Sequence, residues 1–160
     1  MPFQSLLADD RIVLLVEPGD RDAVLDAAAR LLGDGSTTTT QAIADSLRKR
    51  ERLGSTGIGH GIAIPHGRTA AFDEARGAFL RLREPVAFGA SDGEPVDLVF
   101  AMAVPEHFTQ QHLQLLAELA ERFSDAAFRA QLRAAPDLAA LRAVLAAPGP
   151  PVSMAAGGAA

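Results

Sequence analysis

The stretch Ser55-Thr-Gly-Ile-Gly-His-Gly-Ile-Ala-Ile-Pro-His-Gly-Arg68 guides the interpretation of the rest of the chain. Its glycines are denser than a regular helix or strand tolerates, which indicates a tight path or a close backbone approach. Within it, the apolar run at residues 61–64 predicts a short buried strand, and Pro65 ends that strand because proline has no N–H for a sheet ladder. The sequence therefore predicts a strand that leaves a glycine loop and presents His66 at its tip.

Strand-like and helix-like patterns are interspersed along the remainder of the chain. Predicted strands cover residues 11–16, 61–64, 77–83 and 96–104; predicted helices cover 21–32, 39 or 40 to 52, 109–123, 125–134 and 136–145. Asp20 is expected to cap the first helix, and Thr38 with Gln41 to form a capping box for the second. This order predicts an α/β sandwich, with a mixed sheet flanked by helices on both faces.

Two short connections complete the predicted fold. The link at residues 67–76 and the turn near residue 92 suggest hairpins. A hairpin joins antiparallel strands, so we expect a mixed sheet rather than a purely parallel one. Residues 1–147 are expected to form one domain, and the low-complexity residues 148–160 a disordered tail.

Composition excludes several classes of function. The chain is 48% hydrophobic and 22% charged, which is typical of a globular protein. Its net charge of −5 gives no basic stripe for nucleic acid. It has no cysteine, so disulfides and thiolate metal sites are excluded. Neither a signal peptide nor a run of roughly 20 apolar residues is recognisable, so we expect a soluble, cytoplasmic protein.

Two of the four histidines stand out by their settings. His66 lies between Pro65 and a glycine at the end of a predicted strand, and His112 lies in the first turn of the clearest helix, just after the predicted central strand. If both elements finish at one sheet edge, the two histidines meet. A helix N-terminus disfavours the imidazolium form, and a neutral ring is what a nucleophile needs. His60 and His107 are interpreted as surface or structural histidines.

Two chemistries use such a pair. Neutral imidazole binds zinc, but no HExxH spacing or supporting carboxylate is recognisable, so no metal or cofactor is predicted. The second chemistry is phosphoryl transfer, in which one histidine attacks while the other and an arginine hold the phosphoryl oxygens. Backbone N–H groups of the glycine loop, including Gly67, and the hydroxyls of Ser55 or Thr56 would complete that cradle. The residues by themselves leave both chemistries open.

Several motifs together resemble a known family. Arg50-Glu51, Gly54-Ser-Thr-Gly-Ile-Gly59 and Gly61-Ile-Ala-Ile-Pro-His-Gly67 are similar to the signature of enzyme IIA domains of the bacterial phosphotransferase system. The branch is the fructose/mannitol type, and the sequence of these motifs is most similar to that of its nitrogen-regulatory members. Asp92-Gly-Glu-Pro-Val-Asp-Leu-Val-Phe-Ala101 and His112-Leu-Gln-Leu-Leu116 follow in the same order, so the resemblance spans residues 3–146.

The resemblance implies a mixed sheet flanked by helices and a set of site residues. His66 becomes the histidine phosphorylated at Nε2, His112 the second active-site histidine, and Arg50 the arginine that supports the phosphoryl group. Arg52 and Arg68 receive no role. The implied donor is a phosphorylated HPr-type carrier, charged ultimately from phosphoenolpyruvate, and it is expected to dock on a shallow apolar face around His66.

Three roles remain for such a domain. A regulatory phosphoprotein would bind or release target proteins according to its phosphorylation state, whereas a sugar-transport enzyme IIA would pass the group to an enzyme IIB. The third is a degenerate binding module that is never phosphorylated. No fused IIB, IIC or HPr-like segment is recognisable, which favours the regulatory role. The similarity of residues 54–59 to the nitrogen-regulatory members favours it too.

Overall fold

A mixed sheet of six strands forms the middle layer of the protein, which a computed structural model describes over residues 3–147. The strands are β1 Ile12–Leu15, β2 Gly57–Gly59, β3 Ile62–Ala63, β4 His66–Thr69, β5 Arg76–Val86 and β6 Val96–Pro105. Their order is β1-β5-β6-β3-β2, with β4 also paired to β6. Pairing is parallel for β1–β5, β3–β6 and β4–β6 and antiparallel for the other two contacts, so the predicted mixed sheet is confirmed.

Helices cover both faces of this sheet. They are α1 Arg21–Leu32, α2 Thr37–Leu53, α3 Gln110–Phe123, α4 Ala126–Ala134 and α5 Leu138–Ala146. One buried cluster joins α1 and α2 to one face, and a second joins α3, α4 and α5 to the other. Along β6, Val99 and Ala101 face the first cluster while Leu98 and Phe100 face the second. A strand covered on both faces is apolar at nearly every position, which explains the continuous apolar run at residues 98–104.

Of the five helices within residues 3–147, four begin after a side-chain cap, and one of these caps differs from the prediction. Asp20 accepts from the backbone N–H of Ala23 at 2.9 Å, as predicted. The capping box at Thr38 was wrong: α2 begins at Thr37, because the hydroxyl of Ser36 accepts from the N–H of Thr39 at 3.3 Å. A serine in extended backbone just before the helix satisfies an N–H group that would otherwise lack a partner.

The prediction that His66 lies at the tip of a strand was also wrong. Ile62 pairs with Leu98 of β6 and His66 pairs with Met102, so β3 and β4 follow β6 in a single register. Pro65 interrupts the strand only formally, since its carbonyl accepts from the N–H of Met102 at 2.9 Å. His66 is therefore the first residue of β4, in the middle of a line of chain that continues past the proline.

The expected hairpin at residues 67–76 does not form, because β4 and β5 lie on opposite sides of β6. The hairpin near residue 92 does form: β5 and β6 are antiparallel, and the N–H of Gly93 donates to the carbonyl of Ala90 at 2.9 Å in their connection.

The glycine-rich stretch forms a hairpin that the sequence did not predict. β2 and β3 are antiparallel, and His60 and Gly61 turn the chain between them with φ of 59° and 80°. The positive φ of Gly61 is a backbone conformation that other residues rarely adopt, so the turn requires glycine there, and a Cβ atom would also displace the side-chain end of Arg133.

The predicted tail, residues 148–160, lies outside the described residues. Within 3–147, none of the helices is both long and apolar enough to cross a membrane.

Candidate phosphoryl-transfer site

Three elements meet where β4 runs beside the second half of β6: the C-terminal turns of α2, β4 itself and the first turn of α3. Their side chains enclose an open depression. It is lined by Ser46, Lys49, Arg50, Leu53, His66, Gly67, Arg68 and His112. The sequence-predicted trio of His66, His112 and Arg50 is thus brought to one place, although α2, β4 and α3 are far apart in the chain.

The protonation of the His66 ring is fixed by its neighbours. Nδ1 lies 2.8 Å from the carbonyl oxygen of Ile64, and a carbonyl only accepts, so Nδ1 carries the proton. Nε2 then holds a free lone pair, and it accepts a hydrogen bond from Nε of Arg50 at 3.2 Å. Two contacts from opposite sides of the ring therefore agree on one tautomer. The nitrogen that faces Arg50 is the nucleophilic one.

Several influences act on the pKa of His66. Burial lowers it below the usual value for histidine, and the positive charges of Arg50 and Arg68 lower it further. The hydrogen bond to Ile64 opposes this shift because it stabilises the protonated ring. The net direction is down, so the ring is neutral near pH 7 and its lone pair is available.

His112 is nearly buried against His66. The two ring centroids are 5.0 Å apart and the planes are tilted by 55°, and only 8% of His112 is exposed. The pKa of His112 is lowered to about 4. Burial is the largest cause, and the charges of His66, Arg68 and Arg50 lower the pKa further. Its Nδ1 atom is buried and has no hydrogen-bond partner among residues 3–147. A neutral ring whose buried nitrogen is unsatisfied is unusual in a folded core and is typical of a functional position.

Both arginines of the depression carry charge without a carboxylate partner. Nη1 of Arg50 donates to the carbonyl of Gly54 at 2.8 Å, and Nη1 of Arg68 donates to the carbonyls of Glu106 and Phe108. In the described part of the chain, no carboxylate forms an ion pair with either. Hydrogen bonds to carbonyls position a guanidinium but leave its charge in place. The site is therefore prepared to receive an anion.

The hydroxyls of Ser55 and Thr56 are not brought to the depression. Ser55 Oγ donates to the carbonyl of Phe88 at 2.6 Å, and Thr56 Oγ1 donates to Oε1 of the buried Glu51 at 2.6 Å. These bonds tie the end of α2 to the glycine stretch, so both hydroxyls support the architecture. Of the phosphoryl-binding support predicted outside the trio, only Gly67 lines the depression.

Gly67 has a steric reason to be glycine. A Cβ atom there would lie 2.3 Å from Ser46 Oγ and 3.1 Å from the backbone carbonyl carbon of Ser46. Helix α2 therefore packs directly onto the backbone of β4, which holds Arg50 close to His66.

The remaining candidates lie elsewhere or were missed. His60 is exposed at the turn of the β2–β3 hairpin, and His107 is exposed with its ring against Phe108. Arg68 and Lys49 line the depression, although the sequence assigned them no role. No set of three or more histidine or carboxylate groups suited to a metal occurs between residues 3 and 147.

The class of protein follows from comparison with known families. Residues 5–147 match the family described as "Phosphoenolpyruvate-dependent sugar phosphotransferase system, EIIA 2". The chain belongs to this family, and it is therefore a phosphotransferase component of the EIIA kind.

Individual relatives show which members of the family the chain is similar to. The chain is 41% identical over 140 residues to "Nitrogen regulatory protein" of Pseudomonas aeruginosa, which covers 87% of this chain and 91% of that protein. The crystal structure of nitrogen regulatory protein IIA-Ntr from Neisseria meningitidis superposes with a TM-score of 0.82 at 41% identity, covering 89% of this chain and 98% of that one. A mannosyl-glycerate-specific EIIABC component of Escherichia coli is 38% identical over 138 residues, which is 84% of this chain but 21% of that protein.

Proposed function

We propose that the protein is a phosphohistidine carrier, which accepts a phosphoryl group on Nε2 of His66 from an HPr-type protein charged by phosphoenolpyruvate. One observation carries the proposal: Ile64 holds the Nδ1 proton while Arg50 faces the free lone pair of Nε2. The nucleophile, its tautomer and an adjacent cation are all present before any phosphoryl group arrives.

The transfer step balances without a proton moving between the proteins. The Nε2 lone pair of His66 attacks phosphorus, a new P–N bond forms, and the P–N bond of the donor breaks with its electron pair returning to the donor's ring nitrogen. The Nδ1 proton stays on His66. Its bond to the carbonyl of Ile64 stabilises the positive charge of the phosphorylated ring.

Arg50 must change its partner during this step. Once Nε2 is bonded to phosphorus, it no longer accepts from Arg50, so the guanidinium turns to a phosphoryl oxygen that lies one bond further out. In-line phosphoryl transfer depends on positioning and charge stabilisation rather than on acid–base chemistry. Arg50 and a neutral N–H of His112 would supply both at the equatorial oxygens.

A carrier must not lose its group to water. None of the residues lining the depression is a carboxylate. The phosphorylated ring of His66 has no free lone pair, because Nε2 carries the phosphoryl group and Nδ1 carries a proton, and His112 is expected to be neutral with its N–H on a phosphoryl oxygen. Among the described residues that line the depression there is thus no carboxylate to act as a general base for hydrolysis, and the lowered pKa of His112 makes its ring a weak base.

The regulatory role is proposed over sugar transport. A nitrogen regulatory relative matches this chain over nearly its whole length, whereas the chain corresponds to about a fifth of a sugar-specific relative. We propose that target proteins distinguish the phosphorylated from the unphosphorylated form. In the sugar-transport alternative, an enzyme IIB would accept the group, so addition of a cognate IIB discriminates between the two.

The first experiment is labelling from radioactive phosphoenolpyruvate with a matched enzyme I and HPr-type carrier. We expect label that is acid-labile and base-stable on the wild type and none on His66→Ala. Arg50→Ala and His112→Ala should be labelled more slowly, by about 10- to 1000-fold, since each removes one stabilising donor. His60→Ala is the matched control and should be labelled like the wild type. Full-rate transfer by the Arg50 and His112 variants would refute their roles.

A further inference from the structure

Arg68 connects the depression to the segment that joins β6 to α3. Its Nη1 atom donates to the carbonyl of Glu106 at 3.2 Å and to that of Phe108, 38 and 40 residues away. Its own carbonyl accepts from Ser46 Oγ of α2 at 3.0 Å. One residue of β4 therefore contacts both α2 and the segment that leads into α3.

The same side chain has donors to spare. A guanidinium carries five N–H groups, and the Nη1 atom accounts for those that bind the two carbonyls. Nε and Nη2 of Arg68 form no hydrogen bond to residues 3–147, and no carboxylate of that range pairs with the charge. Arg68 lines the depression together with His66 and His112, and its charge lowers the pKa of both rings, so the side chain acts on the place where a phosphoryl group on His66 would lie.

We propose that Arg68 couples the phosphorylation of His66 to residues 106–109, by binding a phosphoryl oxygen with its free donors while Nη1 keeps the two carbonyls. This inference rests on the proposed function, and it adds that phosphorylation changes how firmly residues 106–109 are held. A dianion fixes the guanidinium through charge-assisted hydrogen bonds, and the fixed guanidinium holds the segment more firmly. Arg68 is thus a positioning residue whose effect depends on the state of the site.

The segment leads directly to exposed surface that a partner would contact. Leu113, one residue beyond His112, is 66% exposed, and its N–H donates to the carbonyl of Thr109 at 3.2 Å. Phosphorylation would therefore stiffen the surface beside the depression as well as change its charge. A target protein that reads the state of His66 would sense both differences.

Hydrogen exchange of single amides tests the coupling. The N–H of Phe108, which donates to the carbonyl of Pro105 at 3.1 Å, is the reporter; the N–H of Gly93, in the turn of the distant β5–β6 hairpin, is the internal reference. Exchange is measured by NMR on the full chain before and after phosphorylation. The group is added by the HPr-type carrier and, in parallel, by phosphoramidate, so that coupling is measured even if the carrier fails.

We expect the Phe108 amide of the wild type to exchange about tenfold more slowly after phosphorylation, the size expected for a gained charge-assisted hydrogen bond, with Gly93 unchanged. Arg68→Gln should lose this gain. Arg68→Lys should accept label faster than Arg68→Gln, since it keeps the charge, yet lack the gain, since one ammonium cannot hold carbonyls and phosphate as a planar fork does. Arg142→Gln removes a comparable bond to the carbonyl of Asp9 on another surface and should keep the gain.

The outcomes separate the two proposals. Equal Phe108 exchange in both states of fully labelled wild type overturns the coupling and leaves the carrier function standing. The same conclusion follows if Arg68→Gln retains the full gain. Phosphoramidate labelling with a normal gain, but no labelling by any carrier, supports the coupling and overturns the proposed transfer.

Discussion

The neutral state of His112 predicts a specific dependence of stability on pH. His112 has a pKa of about 4 in the folded protein and an ordinary value near 6.5 when unfolded, because burial and then the nearby charges disfavour its protonated form. Between these values the unfolded chain binds a proton that the native chain does not. The free energy of unfolding therefore falls as pH decreases from 6.5, and the loss is complete below the folded pKa. Its full size is about 3 kcal/mol, at 1.36 kcal/mol per pKa unit.

The assay is urea unfolding of wild type and His112→Gln between about pH 4.5 and pH 8. At about pH 4.5 His112 should lower the free energy of unfolding by about 2.5 kcal/mol relative to pH 8, so the variant should show that much less pH dependence than the wild type. The pKa of His66 is also lowered, so its contribution has the same sign and remains in both proteins. Exposed Gln111→Ala, next to His112 in the chain, is the control and should keep the wild-type slope. Equal slopes for wild type and His112→Gln, or an NMR titration of His112 near 6.5, would refute the reasoning.

Three further substitutions test the structural support of the site. Gly67→Ala places a Cβ atom against the Ser46 backbone and should lower the free energy of unfolding by about 1 to 3 kcal/mol in chemical denaturation, and slow labelling of the folded fraction. Thr56→Val leaves one oxygen of the buried Glu51 without its hydroxyl donor and should cost about 1 to 3 kcal/mol in the same measurement. Leu53→Asp changes an 81% exposed side chain at the depression and should raise the carrier concentration for half-maximal labelling about tenfold, without loss of stability.

Each of these has a matched control. Gly54→Ala is the control for Gly67→Ala: its added Cβ atom would lie in open space, so stability should be almost unchanged. Thr38→Val, at an exposed threonine, is the control for Thr56→Val and should also leave stability almost unchanged. Val16→Asp introduces the same charge at another exposed apolar position outside the depression. If Gly67→Ala is as stable as Gly54→Ala, α2 does not pack on β4 as described. If Val16→Asp impairs labelling as much as Leu53→Asp, net charge rather than local docking controls the encounter.

The long helices and the central strand were predictable because their signals are local. Apolar residues at helical spacing and an N-terminal Asp define α1, and the nearly continuous apolar run defines β6. The motif around His66, with Arg50 before it and His112 after it, was enough to name the family. The start of α2 was misplaced because several neighbouring hydroxyl residues are equally good caps, and only the backbone conformation selects Ser36.

The other errors concern short strands that form only by pairing and side chains whose hydrogen-bond partners a contiguous motif does not reveal. β2 is Gly-Ile-Gly and β4 is His-Gly-Arg-Thr. Neither has a strand pattern of its own, so they become strands only by pairing with β3 and β6. The side of β6 on which β4 lies cannot be inferred from a connection length, which led to the false hairpin. Ser55 and Thr56 were assigned to the phosphoryl group because their hydroxyls are close to His66 in sequence.

The sequence by itself determined the layers of the fold and singled out His66 as the proposed phosphorylation site, because periodicity, caps and a contiguous motif act over a few residues. Only the tertiary structure decided which nitrogen of His66 is free, which hydroxyls are occupied and that Arg68 belongs to the site. Those properties depend on hydrogen bonds such as Arg50 to His66 and Arg68 to Phe108, which form when α2, β4 and the segment before α3 are packed together. Packing and geometry in three dimensions, rather than spacing along the chain, select these partners.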